Sequence, residues 1–231
     1  MKIEDGNIVL KHDELTKVTK AFNSIDEHRF LNSCLASNYQ RELFDKAKYY
    51  PVDVNSYAMK QNISLGKAHT ELIAIIKKYM ETTIQVKLDD DRTWFTSIIY
   101  DFVSDSSIKS ITVQFNKKII PLISGTMEAG KFCMYDSRMD KVPSTRRYLM
   151  AELIQRNMWK IEKDGYVVLQ VVEIREALNM LEGEYKEYKE LNRTVIQPTL
   201  RDIVDHLGIQ LVGKGNRKEV RFSKLGLGAR V

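Results

Sequence analysis

Nine side chains in the last fifth of the sequence are of the types that bind a polyanion: Lys186, Lys189, Asn192, Arg193, Gln197, Lys214, Arg217, Lys218 and Arg221. Lys186, Lys189, Arg193 and Gln197 follow one another at three, four and four residues, the separations that bring side chains onto one face of a helix. Arg and Lys suit the acceptor pair of guanine, Gln and Asn the donor and acceptor of adenine. The second group flanks the stretch Gly213-Lys214-Gly215-Asn216-Arg217-Lys218, where glycine lets the backbone approach a phosphate and the cations release counterions on binding. Glu187 and Glu190 interrupt the basic face, so taken alone it also reads as the solvated side of a core helix. A basic helix face followed directly by a basic hairpin is the more specific combination. It points to duplex DNA.

Catalytic patterns are not legible. There is no Gly-x-x-x-x-Gly-Lys-Ser/Thr loop for a nucleotide, and Gly213-Lys214-Gly215 does not supply one. His12, His28, His69 and His206 stand apart, without the close pairing of metal-binding histidines, and no nucleophile with its base can be read. Asp89-Asp90-Asp91 reads as a polar turn, because no glycine-spaced calcium loop accompanies it. Trp94 and Trp159 read as core aromatics. The expectation is therefore binding without catalysis, cofactor or metal. Cys34 and Cys133, far apart in mainly apolar segments, read as reduced buried thiols. No apolar run reaches the roughly 20 residues of a membrane span. The opening Met1-Lys2-Ile3-Glu4-Asp5-Gly6 lacks the layout of a signal peptide. A cytoplasmic protein without membrane contact is expected.

Charge is unevenly distributed. Residues 141–231 hold 17 Lys and Arg against 12 Asp and Glu, while residues 1–140 hold 19 of each. The whole net charge of +5 thus belongs to the last two-fifths of the chain, which suits a polyanionic partner.

The elements that must position these residues recur in one order. Ile25 to Tyr39 has a helical stripe, with Ser24 as N-cap and Glu27 completing a capping box. A short helix over Val52–Asn62 precedes a third, capped by Ser64 and striped with Leu65, Ala68, Leu72, Ile75, Ile76 and Tyr79. Thr82–Leu88 and Thr93–Val103 alternate as strands around the three aspartates, and Ile108–Phe115 follows. In the second half Ser144 caps a helix to about Asn157, then come a strand at Tyr166–Leu169 and a short helix at Glu173–Leu181. A long helix over Tyr185–Leu207, bent at Pro198, leads to strands at Ile209–Val212 and Glu219–Ser223. Helix, short helix, longer helix and two-stranded wing is the winged-helix order. The expected fold is α+β, two tandem winged-helix domains over 1–130 and 131–231, with the junction within Gly125–Pro143. The first domain offers Lys67, Thr70, Lys77 and Lys78 beside an acidic tip. It suits backbone contacts elsewhere, or a protein partner.

Together these segments resemble the iteron-type plasmid replication initiators. The resemblance runs over nearly the whole chain. It starts with Val9-Leu10-Lys11-His12-Asp13-Glu14-Leu15, Phe22 and Ile25-Asp26-Glu27-His28-Arg29-Phe30. It is most specific in Tyr185-Lys186-Glu187-Tyr188-Lys189-Glu190-Leu191-Asn192-Arg193-Thr194-Val195-Ile196-Gln197-Pro198, and it closes with Gly215, Arg217 and Val220-Arg221-Phe222. The pattern departs from the family at Asn192-Arg193-Thr194, where two adjacent basic residues are usual, and at Leu149-Met150-Ala151-Glu152-Leu153, which lacks the usual Arg-Leu-Tyr. The resemblance implies binding of direct repeats at a plasmid origin in the bacterial cytoplasm, origin opening, and recruitment of host replication initiator and helicase proteins. It also implies monomers that start replication, in equilibrium with homodimers, formed through the first domain, that repress the protein's own gene. A transcriptional repressor of the same fold and a protein-interaction scaffold are the alternatives, with a metal-dependent nuclease further behind.

Overall fold

Hydrogen-bonding side chains set where the helices begin, and a computed structural model gives their arrangement over residues 8–12, 15, 24–37, 48–87, 93–124 and 132–225. Phe22, the end of the first expected helix at Tyr39, the Asp89–Asp91 turn and the glycines at 125 and 130 lie outside the described residues. The chain divides into two compact units, Met1–Ser137 and Arg138–Val231. The division falls within the Gly125–Pro143 stretch, beyond residue 130, because a strand at Phe132–Asp136 pairs antiparallel with Ile8–His12 and so belongs to the first unit.

The first unit comprises β1 (Ile8–His12), α1 (Ile25–Ser37), β2 (Tyr50–Val52), α2 (Val54–Gln61), α3 (Leu65–Glu81), β3 (Ile84–Lys87), β4 (Thr93–Thr96), β5 (Ile99–Asp105), β6 (Ser110–Phe115), α4 (Ile120–Ser124) and β7 (Phe132–Asp136). At the start of α1 the Glu27 carboxylate accepts from the Ser24 backbone N–H at 3.3 Å, while Ser24 Oγ accepts from Asp26 N–H, satisfying donors a helix otherwise leaves open. The expected short helix begins two residues late. Asp53 accepts from Ser56 N–H at 2.8 Å and acts as its cap, which leaves Tyr50–Val52 free to pair with Ile111–Val113. Asn62, left-handed at φ 52°, ends α2, and Ser64 starts α3 by accepting from Lys67 N–H. Ala68, Leu72, Ile76 and Tyr79 then line one buried face of α3. Tyr79 stacks tilted on Phe30 with centroids 5.5 Å apart, and its hydroxyl donates to the Glu27 carbonyl at 2.8 Å.

The expected single strand over Thr93–Val103 is two strands. Ile98 and Ile99 are both fully buried, and a strand cannot put consecutive side chains on one face, so the chain turns a corner there. β4 returns along β3, whereas β5 joins β6 and β2 in a sheet ordered β2-β6-β5. His69 is buried with a ring nitrogen 3.0 Å from Ser104 Oγ.

The second unit comprises a 3-10 turn (Ser137–Lys141, starting at the unit boundary), α5 (Thr145–Arg156), α6 (Met158–Asp164), β8 (Tyr166–Gln170), α7 (Val171–Ala177), α8 (Tyr188–Leu191), a π-helical segment (Asn192–Ile196), α9 (Gln197–Leu207), β9 (Leu211–Gly215) and β10 (Glu219–Lys224). Ser144 caps α5 through Arg147 N–H. Every residue from Tyr148 to Gln155 is buried, so α5 is enclosed on all sides instead of facing water along a stripe. In α6 the buried positions are Met158 and Ile161. Trp159 between them is turned outward and 58% exposed, with Lys160 Nζ 5.5 Å from its ring, and so is not a core aromatic. Trp94 is only half-buried, against the core of the first unit. The sheet is ordered β8-β10-β9, entirely antiparallel. Leu169, Leu211, Val220 and Phe222 point inward from it.

The two units share one topology. Each contains helix, strand, helix, long helix, strand and strand in that order, with β6 or β10 in the middle of a three-stranded sheet; β1, α4 and β7 are additions of the first unit and α6 of the second. In the first unit the β3–β4 hairpin is inserted before the closing strands. This is the winged-helix fold, twice.

Candidate nucleic-acid interface

The basic helix of the second unit is built differently from the expected continuous helix over Tyr185–Leu207. Residues 178–187 form an irregular loop in which Asn179, Gly183 and Tyr185 have positive φ. Two arginines hold it. Arg175 donates to the Glu184 carbonyl at 2.7 Å and to the Tyr185 carbonyl, while Arg146 pairs with the Glu184 carboxylate at 2.6 Å and donates to the Leu178 carbonyl. These carbonyls would otherwise serve a helix, so regular structure starts only at Tyr188. Lys186 is consequently exposed on the loop ahead of the helix and not on its face.

Over Asn192–Ile196 the helix widens to π geometry before α9 resumes with Pro198 in its first turn. Gln197 N–H bonds back to the Asn192 carbonyl. Proline has no N–H to give, and the widened turn rearranges the carbonyls around it. The Thr199 hydroxyl supplies a donor to the Val195 carbonyl at 2.7 Å. The expected bend at Pro198 thus takes the form of a π segment, one of the recognised irregularities of helices. Lys189, Arg193, Thr194 and Arg201 are exposed on the outer side, and Leu191, Val195, Ile196, Leu200 and Ile203 are buried. Asn192 and Gln197 are half-buried and turned toward the wing.

The wing carries the other four cations. Asn216 Oδ1 accepts from Lys218 N–H at 2.8 Å and Glu219 N–H at 3.2 Å, forming the tight turn of the tip. Arg217 and Lys218 are exposed there. Lys214 is within β9 and not at the tip, directly opposite Arg221 of β10 on the outer face of the sheet. Arg221 lies over the Tyr166 ring, with 3.9 Å between guanidinium carbon and ring centroid. Arg217 forms an exposed ion pair with Glu187 at 3.0 Å. A pair so exposed contributes little to stability.

Three contributors lie outside the residues that spacing and charge point to. Tyr166 supports Arg221, and the alternation of β8, which exposes Tyr166, Val168 and Gln170, is the signal that could have marked it. Arg146 and Arg175 fix the loop ahead of the helix, through backbone carbonyls that no spacing rule reveals. Among the described residues no three His, Cys, Asp or Glu side chains stand together as a metal site, and no helix is long and apolar enough to cross a membrane.

Residues 8–139 match the family model described as Initiator Replication protein, WH1. No curated protein sequence matches the chain. Among solved structures, the chain is similar to Pi initiator protein in complex with iteron DNA, with a TM-score of 0.72 at 15% identity over 96% of this chain and 98% of that one. It is also similar to domains 2 and 3 of RctB, with a TM-score of 0.53 at 9% identity over 87% and 82% of the two chains. At such identities these likenesses concern the fold. The protein is thus a tandem winged-helix protein of α+β class. It belongs to the initiator replication protein family.

Proposed function

We propose that the chain is a plasmid replication initiator whose second unit reads repeated sequences in origin duplex DNA. The observation that carries this reading is the exposure of Lys189 and Arg193 on a helix whose neighbouring wing presents Lys214, Arg217, Lys218 and Arg221. Arg193 and Lys189 address base edges in the major groove, Lys186 lies ahead of them, and the wing cations hold the phosphates alongside. Family membership supports the initiator role, and a similar fold crystallised with iteron DNA supports the docking mode. The finer steps follow from the same reading: opening of the origin, recruitment of host replication initiator and helicase proteins, and repression of its own gene by a homodimer in equilibrium with the monomer. The first unit supplies the dimer contact or further backbone contacts, and the protein works in the bacterial cytoplasm by binding, without catalysis or cofactor.

Footprinting on the DNA flanking the gene tests binding, and a plasmid bearing only the gene and its upstream repeats tests initiation. Protection of tandem repeats together with autonomous replication is the expected result. Protection without replication would leave a repressor. No protection at all would overturn the DNA-reading assignment and leave a protein-interaction scaffold.

A further inference from the structure

The wing of the second unit rides on the basic helix itself, with almost no space between them. A Cβ placed on Gly215 would come within 2.8 Å of the Tyr188 hydroxyl and 2.5 Å of the Glu219 carbonyl oxygen. One placed on Gly213 would come within 3.1 Å of Leu200 and of Phe222. The backbone of β9 therefore touches the helix at Tyr188 and, three turns later, at Leu200. Between these points stands Gln197. Its amide nitrogen donates to Asn192 Oδ1 and to the Gly213 carbonyl, both at 3.2 Å.

A primary amide has two N–H hydrogens, and here both are used within the protein. To read adenine, glutamine must donate to N7 while accepting from N6, so reading would require one of these bonds to break. The π segment explains why the bonds exist. Positions five apart on an α-helix are about 140° apart around the axis. A π turn, closed by a bond between residues five apart, brings them nearly into line. It sets Asn192 and Gln197 on the same side, facing the wing. Partial burial of Tyr188 raises its hydroxyl above the usual range, in keeping with its place against Gly215.

We infer that Gln197 is a positioning residue that fixes the wing on the basic helix, and not a residue that reads a base. Asn192 orients its amide, and Tyr188 against Gly215 holds the far end of the seam. The groove-facing side chains and the phosphate-facing cations thereby keep one spacing. The consequence for DNA rests on the proposed function; the mechanical claim does not.

The test compares backbone hydrogen exchange over Gly213–Glu219 in the wild type, Gln197→Leu and Asn192→Ala, alongside duplex affinity at several salt concentrations and base selection from a randomised site. Thermal unfolding of each variant serves as the fold control. Gln197→Leu is expected to speed wing exchange roughly two- to tenfold, the range that loss of its one hydrogen bond to the wing gives. It should weaken all sequences together and flatten the salt slope, with the order of base preferences unchanged. Asn192→Ala, which keeps the bond to Gly213, should loosen the same amides less, and it carries the test if Gln197→Leu does not fold. Unchanged wing exchange in both variants would overturn the inference. So would a loss of preference at one base pair while the wing stays protected. If the wild type binds no duplex, the proposed function fails and the exchange comparison still decides the role of Gln197.

Discussion

Arg221 and Tyr166 form a stacked pair on the outer face of the wing sheet, the guanidinium carbon 3.9 Å from the ring centroid. The two belong to neighbouring strands, Arg221 opposite Val168 and Tyr166 opposite Ser223, so the contact runs diagonally across the sheet. A planar guanidinium lying on an aromatic face keeps its edge N–H groups free to point outward. Tyr166 therefore limits the directions Arg221 can take. Tyr166→Leu is expected to weaken binding to every duplex by about 0.5–1 kcal/mol, with base preference and fold intact. Titrations on repeat and scrambled DNA measure it. A loss confined to the repeat would contradict the assignment.

Arg193 and Lys214 should separate reading from holding. Arg193→Ala is expected to cost about 1–3 kcal/mol on the target repeat and to relax preference at the base pair it meets. Lys214→Ala should weaken target and non-target DNA alike and reduce the salt slope by about one. Gel-shift series over a range of salt give both quantities, and an Arg193→Ala protein indistinguishable from the wild type would remove that residue from the reading set.

Asp202 brings a pH dependence of unusual sign. It is buried beside Arg147, whose guanidinium donates to it at 2.8 Å. Burial raises its carboxyl above the ordinary range, more than Arg147 and His206 lower it. The folded protein thus holds this proton more tightly than the unfolded chain does, whose value is about 3.9. The resulting stabilisation is complete below that pH and is lost as pH rises through the raised folded value. Unfolding free energies of wild type and Asp202→Asn, compared across this window, should shift in favour of Asn as pH rises. A difference that stays constant with pH would refute the assignment.

Cys34 is 1% exposed, and burial pushes its thiol far above the usual range. Thiolate is the reactive form. A disulfide exchange reagent should therefore label Cys34 only as fast as the protein unfolds, and labelling should accelerate with denaturant in parallel with loss of structure. Rapid labelling of Cys34 in the native protein would count against the enclosed position given for α1.

Much of the architecture can be read from caps and stripes. Ser24 with Glu27, Ser64 and Ser144 mark three helix starts, because a side-chain acceptor within three residues of a free N–H is a local arrangement. The stripe Ala68, Leu72, Ile76 and Tyr79 is equally local. What escapes such reading depends on partners distant in sequence. Nothing in the alternation of Tyr166–Gln170 says that this strand pairs with β10, or that the last strand lies in the middle. The corner at Ile98 and Ile99 looks like two more residues of a strand. Lys186 fits a helical spacing but lies outside the helix, since Arg175 has already taken the carbonyls of Glu184 and Tyr185. The basic face was therefore legible in its composition, while the π segment reassigned its members: Lys189 and Arg193 outward, Asn192 and Gln197 toward the wing.

The π segment holds one residue more than an even α-helix would between Leu191 and Gln197. The wider turn absorbs that surplus, so the helix ahead of it keeps its bearing relative to α9. Tyr188 can thus stand against Gly215 while Leu200 meets Gly213. A single deletion here would return the stretch to α geometry with its two ends turned little, whereas one more residue, if the helix took it up as regular α turn, would rotate everything ahead of it by about 100°. Chain length in this stretch is therefore constrained more tightly against gain than against loss.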